Sequence, residues 1–286
     1  MQLRLGRAVE AQERSRQEER GARRQAADRG ARWLLLLALP MLLFLVVPLL
    51  ALLARIPLAS LLANLGSREV ADAISLSLTT TAVSTSLALL FGTPLAYLLA
   101  RHDFRGRRII DTLIDLPMVL PPAVAGIALL MAFGRRGLIG AYLDSLGLSL
   151  AFTSAAVVLA QVFVAAPFYI KAAMAGFEGV ERELEQAAAI DGAGGWRIFR
   201  HITAPLAGSA LLGGAVMTWA RALGEFGATI IFAGNFPGRT QTMPLAIYIG
   251  LELDLSTALT LSVILLSVSF LVLFVVKGLL RLRVGV

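Results

Sequence analysis

An all-α integral membrane protein with six transmembrane helices and both termini in the cytoplasm is the expectation, and three observations carry it. Of the 286 residues, 57% are hydrophobic and only 16% charged, and the mean hydropathy is +0.77. That balance belongs to polytopic membrane proteins and leaves no room for a large soluble domain. Six apolar runs, at about 33–54, 72–99, 109–133, 154–177, 206–233 and 256–280, each reach the roughly 20 residues that cross a hydrocarbon core. Finally, 19 of the 26 Lys and Arg residues fall in the N-terminal tail, the 101–108 and 178–205 connections and the C-terminus. Basic residues accumulate on the cytoplasmic side, so those segments are placed inside.

Several chemistries are excluded by residue type. Without cysteine there is no disulfide framework, thiolate metal site or cysteine nucleophile. His102 and His201 sit beside arginines in short polar connections, which suits solvation or phosphate contact better than metal ligation. A phosphate-binding loop needs Gly-Lys followed by Ser or Thr, and the only lysines are Lys171, after Ile170, and Lys277, after Val276. If ATP drives this protein, another chain hydrolyses it.

Residues 1–32 hold nine arginines and five acids without a sustained apolar face, which predicts a solvated cytoplasmic tail rather than a secretory signal. The second span opens ISLSLTTTAVSTS. Its hydroxyls, Thr79, Thr80 and Ser84 among them, have two readings: bonding back to the helix to allow close packing, or lining a path with neutral donors for an anion. In the third span Pro117, Pro121 and Pro122 remove backbone donors and must bend or break the helix. At membrane depth such a break needs protein or a watery cavity around it, so it is either a static kink or a bent helix beside a path. Asp111 and Asp115, one turn apart after Arg107 and Arg108, read as interfacial ion-pair partners, and Lys171 of the fourth span as a side chain that snorkels inward.

The polar interruption from Glu178 to Pro205 carries Glu178, Glu181, Arg182, Glu183, Glu185, Asp191, Arg197 and Arg200 between two apolar runs, so it stands in water. Phe177, Val180, Leu184 and Ala187 keep a helical rhythm, acids crowd the first turns, and glycines from Gly192 to Gly195 break the helix. Trp196, Phe199 and Ile202 repeat the rhythm before Pro205. Two short helices joined by a glycine turn, held against the membrane face, suit docking to a soluble partner; an ordinary amphipathic connection is the plainer alternative. In the fifth span, Arg221 and Glu225 lie one helical turn apart, as an intrahelical pair facing protein or as part of a gate, with Gly224 and Gly227 allowing close approach.

The 178–205 segment resembles the cytoplasmic loop of permease subunits of ABC importers. That motif runs Glu-Ala-Ala, three residues, Gly, nine residues, Ile, one residue, Leu-Pro. The matching positions are Gln186, Ala187, Ala188, Gly192, Ile202, Ala204 and Pro205, with both spacings intact. Gln186 and Ala204 depart from it, although Glu185 adjoins the first; the departures bear on any specific ion pair to the ATPase, not on docking. RALGEFGATIIFAGNFPGRTQTMPLAIY is similar to the molybdate, tungstate and sulfate group, most closely the molybdate type. The resemblance covers about residues 72–280 and implies a permease core of five spans over 72–286 that moves a tetrahedral oxyanion by alternating access, with the first span and its outer loop, 33–71, as a peripheral addition. It further implies two permease copies, two cytoplasmic ATPase subunits that hold ATP and Mg, and an external oxyanion-binding protein. The setting is a prokaryotic plasma membrane and its lipid, and nothing calls for nucleic acid or for a cofactor in this chain. An ion-coupled secondary transporter or channel would rest on Glu225 alone as its intramembrane acid. A membrane enzyme would need a cluster of His, Asp or metal ligands that is not present.

Overall fold

The computed structural model describes residues 34–284, so the expected tail of 1–32 lies outside the described residues. The chain divides at Arg55 into two units. The first contributes α1, Leu34–Ala54, of 21 residues with none of it buried. A helix apolar on every side is what a lipid-facing span requires.

The second unit runs from Ile56 and begins with α2, Leu58–Leu65, and α3, Arg68–Arg101. Next come α4, Arg107–Val119, α5, Pro122–Phe133, α6, Gly140–Ser145, and α7, Ser154–Glu178. The interruption holds α8, Arg182–Ile190, and α9, Gly195–Ile198, which passes through a π-helical turn, Phe199–Thr203, into α10, Ala204–Leu206. The remainder is α11, Gly208–Leu223, α12, Gly227–Phe232, α13, Met243–Leu253, and α14, Leu255–Val284.

Of these, α1, α3, α7 and α14 are long and apolar enough to cross a membrane unaided. Counting each of two bent pairs as one broken span gives the expected six: α4 with α5, turning by 118°, and the 195–206 run with α11, turning by 73°. The first turn falls where Pro121 caps α5 and Pro122 occupies its first position, so the missing donors lie where a helix has no partners for them. This exceeds the bend foreseen for the third span. A reversal of that size lets α5 run back beside its neighbours instead of continuing outward.

The core is a seam of small side chains between α3 and α7. Buried Thr81, Ser84, Ala88, Gly92 and Ala96 recur at helical spacing on α3; Gln161 of α7 reaches Thr80 and Thr81, a methyl added at Gly92 would meet Tyr169 Cδ1 at 3.0 Å, and Ala96 shares a cluster with Ala173. Small residues permit close approach in a membrane, where dispersion rather than the hydrophobic effect holds helices together. The next seam, between α7 and α11, is as tight. A methyl added at Gly214 would meet Ala172 Cβ at 2.7 Å.

Three boundaries differ from the hydropathy reading. The run at 206–233 is not one helix: α11 ends at Leu223, and after Gly224 the chain turns into the separate α12. The outer loop foreseen before the last span contains α13, an apolar helix of 11 residues folded against α14. The first outer loop holds α2, tied into the core because the Asn64 amide donates to Ser256 Oγ and Thr260 Oγ1 of α14, each at 2.9 Å.

Candidate functional site

The end of the molecule that carries residues 178–205, the loop end, is built from charge at one place and aromatic packing at another. α8 closes on Gly192, whose φ of +84° lies where only glycine sits without strain. Its N–H bonds Ala189 O at 3.0 Å and the Ala193 N–H bonds Ala188 O at 3.0 Å, the pairing that finishes a helix on a left-handed residue. The glycine of the motif thus has a local physical cause.

Glu185 does not face outward for a partner. Its Oε1 accepts from Arg101 Nη2 at 3.0 Å and from Thr203 Oγ1 at 2.5 Å, and the Arg101 side chain is only 7% exposed. Arg101 Nη2 also donates to Val180 O at 3.0 Å. One carboxylate therefore ties α8 to the last residue of α3 and to the π-helical turn. That turn has its own cause: Pro205 brings no N–H to the helix, and the wider winding before it lets the Ala204 N–H reach Phe199 O.

Aromatic contacts fasten the second half. Tyr97 of α3 meets Phe199 edge-on with centroids 5.2 Å apart and Phe177 of α7 at 5.5 Å, and Trp196 stacks on Phe199 at 5.7 Å. Ile190, 86% exposed, and Trp196, 70% exposed, stand outward among the exposed Glu183, Asp191, Arg197 and Arg200. Gln186 and Ala187 are exposed beside them and Pro205 on the following run, whereas Ala188 and Ile202 are half-buried.

The residues expected along a path fall into two groups. On the α3–α7 seam, Thr80 and Ser84 bond back to Leu76 O and Thr81 O, the packing use of a hydroxyl. The Gln161 amide of α7 donates to Thr80 Oγ1 at 3.2 Å. Thr79 turns outward and, with Thr80, Ser75 and Ser154, lines the polar part of a mixed cavity of about 410 Å³ that also includes Asp72, Leu76 and Val83.

The second group gathers where two chain breaks meet. Glu225 is 1% exposed; its Oε2 takes Arg221 Nη1 at 2.7 Å, and its Oε1 accepts the Ala228 N–H at 2.8 Å. The pair expected within one helix instead spans the break after α11, with the carboxylate holding the start of α12. A methyl at Gly227 would lie 2.6 Å from Pro122 Cβ, so Pro121, Pro122, Arg221 and Glu225 share one region. No bond in the structure joins them to Thr79, Thr80 or Ser84 among the described residues. The acids of α4 pair with Lys171, not with Arg107 or Arg108: Lys171 Nζ lies 2.7 Å from Asp111 and 3.0 Å from Asp115. Arg107 bonds Asp103 at 2.8 Å and Glu178 at 3.3 Å.

Residues 92–284 match the family described as binding-protein-dependent transport system inner membrane component. The molybdenum transport system permease protein ModB of Mycobacterium tuberculosis is 42% identical over 241 residues, 84% of this chain and 91% of that protein. This chain belongs to that permease family. Its relatives include ModB of Escherichia coli, 44% identical over 62% of this chain and 78% of that protein. The sulfate transport system permease protein CysW of Synechococcus elongatus is 36% identical over 80% of each. Among solved structures, a bacterial ABC transporter involved in alginate import matches with a TM-score of 0.70 over 92% of this chain and 100% of that chain. At 17% identity that likeness bears on the fold.

Within this family member, Arg101, Thr203, Gln161 and Ile190 are contributors that sequence reasoning passed over. Arg101 had a signal, a cation at the C-terminal end of a span, where the helix dipole welcomes it. Its partner lies 84 residues away, which no local pattern announces.

Proposed function

We propose that this chain is the membrane permease subunit of an ATP-driven importer for a tetrahedral oxyanion, molybdate, working by alternating access. The observation that carries this reading is 42% identity across 84% of the chain to a molybdenum permease. The loop end is the cytoplasmic face, and both termini lie on that side. A separate ATPase, holding ATP and Mg, seats on the outward face of α8 at Gln186, Ala187 and Ile190. Two copies of the permease form the path, and an external binding protein delivers the anion and supplies most of the selectivity.

The geometry supports a rigid transmission. When nucleotide binding draws the ATPase pair together, α8 moves with it. The Glu185–Arg101 pair pulls on α3, and the aromatic cluster around Phe199 pulls on α3 and α7. The 195–206 run leads directly into α11 across its 73° elbow. No flexible linker intervenes, so a displacement at the loop becomes a tilt of the spans that pack on one another.

The test is reconstitution of the permease with its ATPase and binding protein in vesicles, with labelled molybdate uptake measured with and without ATP. ATP-dependent uptake is expected; equal uptake with the ATPase omitted would sink the reading in favour of a secondary transporter. The 36% identity to a sulfate permease favours sulfate as the second substrate, and competition by sulfate and tungstate in the same assay ranks the three anions.

A further inference from the structure

Two cavities at the loop end share a wall. The larger, about 570 Å³, is an apolar trough with Leu89, Leu90 and Pro94 of α3 on one side and Trp196 with Phe199 on the other. The smaller, about 280 Å³, is a mixed cup whose charged and polar members are Arg101, His102, Arg182, Glu185 and Gln186. Tyr97 and Gly195 line both, so trough and cup adjoin at these two residues. Beside the trough, Leu90 and Phe91 are 65% and 68% exposed, as lipid-facing residues are. From Leu89 to Arg101 the helix rises about 18 Å, close to the roughly 15 Å depth of one leaflet's hydrocarbon.

A second observation concerns Arg101. Its side chain is more than nine-tenths buried, both of its hydrogen bonds use Nη2, and its Nε–H has no partner among the described residues. That Nε is closed off within the protein, so Arg101 meets the cup only through the small remainder of its accessible surface. Glu185 neutralises one guanidinium, and Arg182 leaves the cup net positive.

We propose that trough and cup together form a binding site for an anionic phospholipid. One acyl chain lies along Leu89, Leu90, Pro94 and Trp196, and the headgroup phosphate sits in the cup against Arg182, His102 and the Arg101 edge. Charge complementarity selects the anion, since guanidinium is the natural partner of phosphate. The apolar trough selects an amphiphile over a free oxyanion or an acidic side chain of a partner, either of which would fill the cup and leave the trough open to water. A lipid seated there bridges α3 to α8 and α9, stiffening the link that the proposed transport cycle uses. Only that consequence rests on the ATPase-docking reading; lipid binding itself needs no ATPase.

The experiment uses the full chain in nanodiscs, with Trp33 and Trp219 changed to Phe so that Trp196 alone fluoresces. Phosphatidylglycerol or phosphatidylcholine with brominated acyl chains is added in steps to unbrominated phosphatidylcholine, and quenching is followed. Half-quenching is expected at about a fivefold lower mole fraction of phosphatidylglycerol, the preference one near-surface arginine confers, and Arg182→Gln should reduce it to the phosphatidylcholine level. Equal quenching by both lipids overturns the proposal, as does an unchanged preference in Arg182→Gln combined with His102→Gln. Loss of the preference on adding inorganic phosphate alone, with Trp196 still quenched, marks a free-anion cup and overturns it too. Absence of any quenching of Trp196 by either brominated lipid likewise overturns it. Because the ATPase is absent throughout, failure here leaves the docking reading standing, and failure of docking leaves this one standing.

Discussion

At Glu185 one carboxylate oxygen takes hydrogen bonds from both Arg101 and Thr203. Glu185→Ala would leave a guanidinium buried and unpaired, and a loss of about 3–5 kcal/mol is expected, read as a lower unfolding midpoint of the purified permease. Gln186→Glu restores the carboxylate of the loop motif at an exposed position. It should change stability by no more than about 0.5 kcal/mol while altering ATPase affinity in a pull-down titration. Similar stability losses in the two variants would contradict the division of labour between neighbours. Gly192 stands at a φ of +84°, and Gly192→Val should cost about 1–2 kcal/mol of local strain. Its readout is coupling: the variant reaches the membrane at normal abundance but hydrolyses ATP with little uptake, as should a charge introduced at Ala188. Normal uptake in both removes the docking role. Asp254 is a smaller case. The Thr257 hydroxyl and then the Ser256 N–H hold its carboxylate below the usual range. A depressed pKa adds stability above the ordinary carboxylate pKa that is lost as pH falls through the lowered value, so Asp254→Asn should flatten the acid limb of the melting profile.

At the scale of elements, the decisive feature is the meeting of two broken helices. α5 starts at a proline pair, α12 starts behind a glycine and a buried acid, and the two pack so closely that Gly126 and Gly227 admit no side chain: a methyl at Gly126 would come within 2.9 Å of Ala228 O. Gly227→Leu must push the elements apart at a cost of about 1–3 kcal/mol. If the contact moves during transport, uptake falls further than that loss of stability explains. Glu225→Gln keeps an acceptor for the Ala228 N–H but gives up the Arg221 ion pair, so it should impair uptake less than Glu225→Ala and more than Glu252→Gln. Glu252 lies exposed in the last turn of α13. Equal, small effects at 225 and 252 would return Glu225 to a purely structural role. The hydroxyls of α3 divide along the same lines: Ser84 is spent on helix packing, Thr79 faces a cavity, and Thr80 bonds back to the helix at the edge of that cavity.

For the whole molecule, the sequence determined the class and the six-span count, because crossing lipid needs a long apolar run and such runs are visible in one dimension. It also determined where water begins: the acids and arginines of 178–205 could stand nowhere else, and Gly192 was legible as a helix stop because so few residues tolerate its backbone. The motif spacing carried the family, which the match over 92–284 then bore out. What only the tertiary structure decided is every pairing between distant residues: Arg101 with Glu185, Lys171 with Asp111 and Asp115, Pro122 against Gly227, and Trp196 against the trough of α3. The same holds for the split at Gly224, where hydropathy reads on without interruption. A helix or a polar loop is set by neighbours within a turn or two, and periodicity records them. A buried charge pair, a reversal of 118° or a cavity depends on which surfaces meet in space, and nothing along the chain records that.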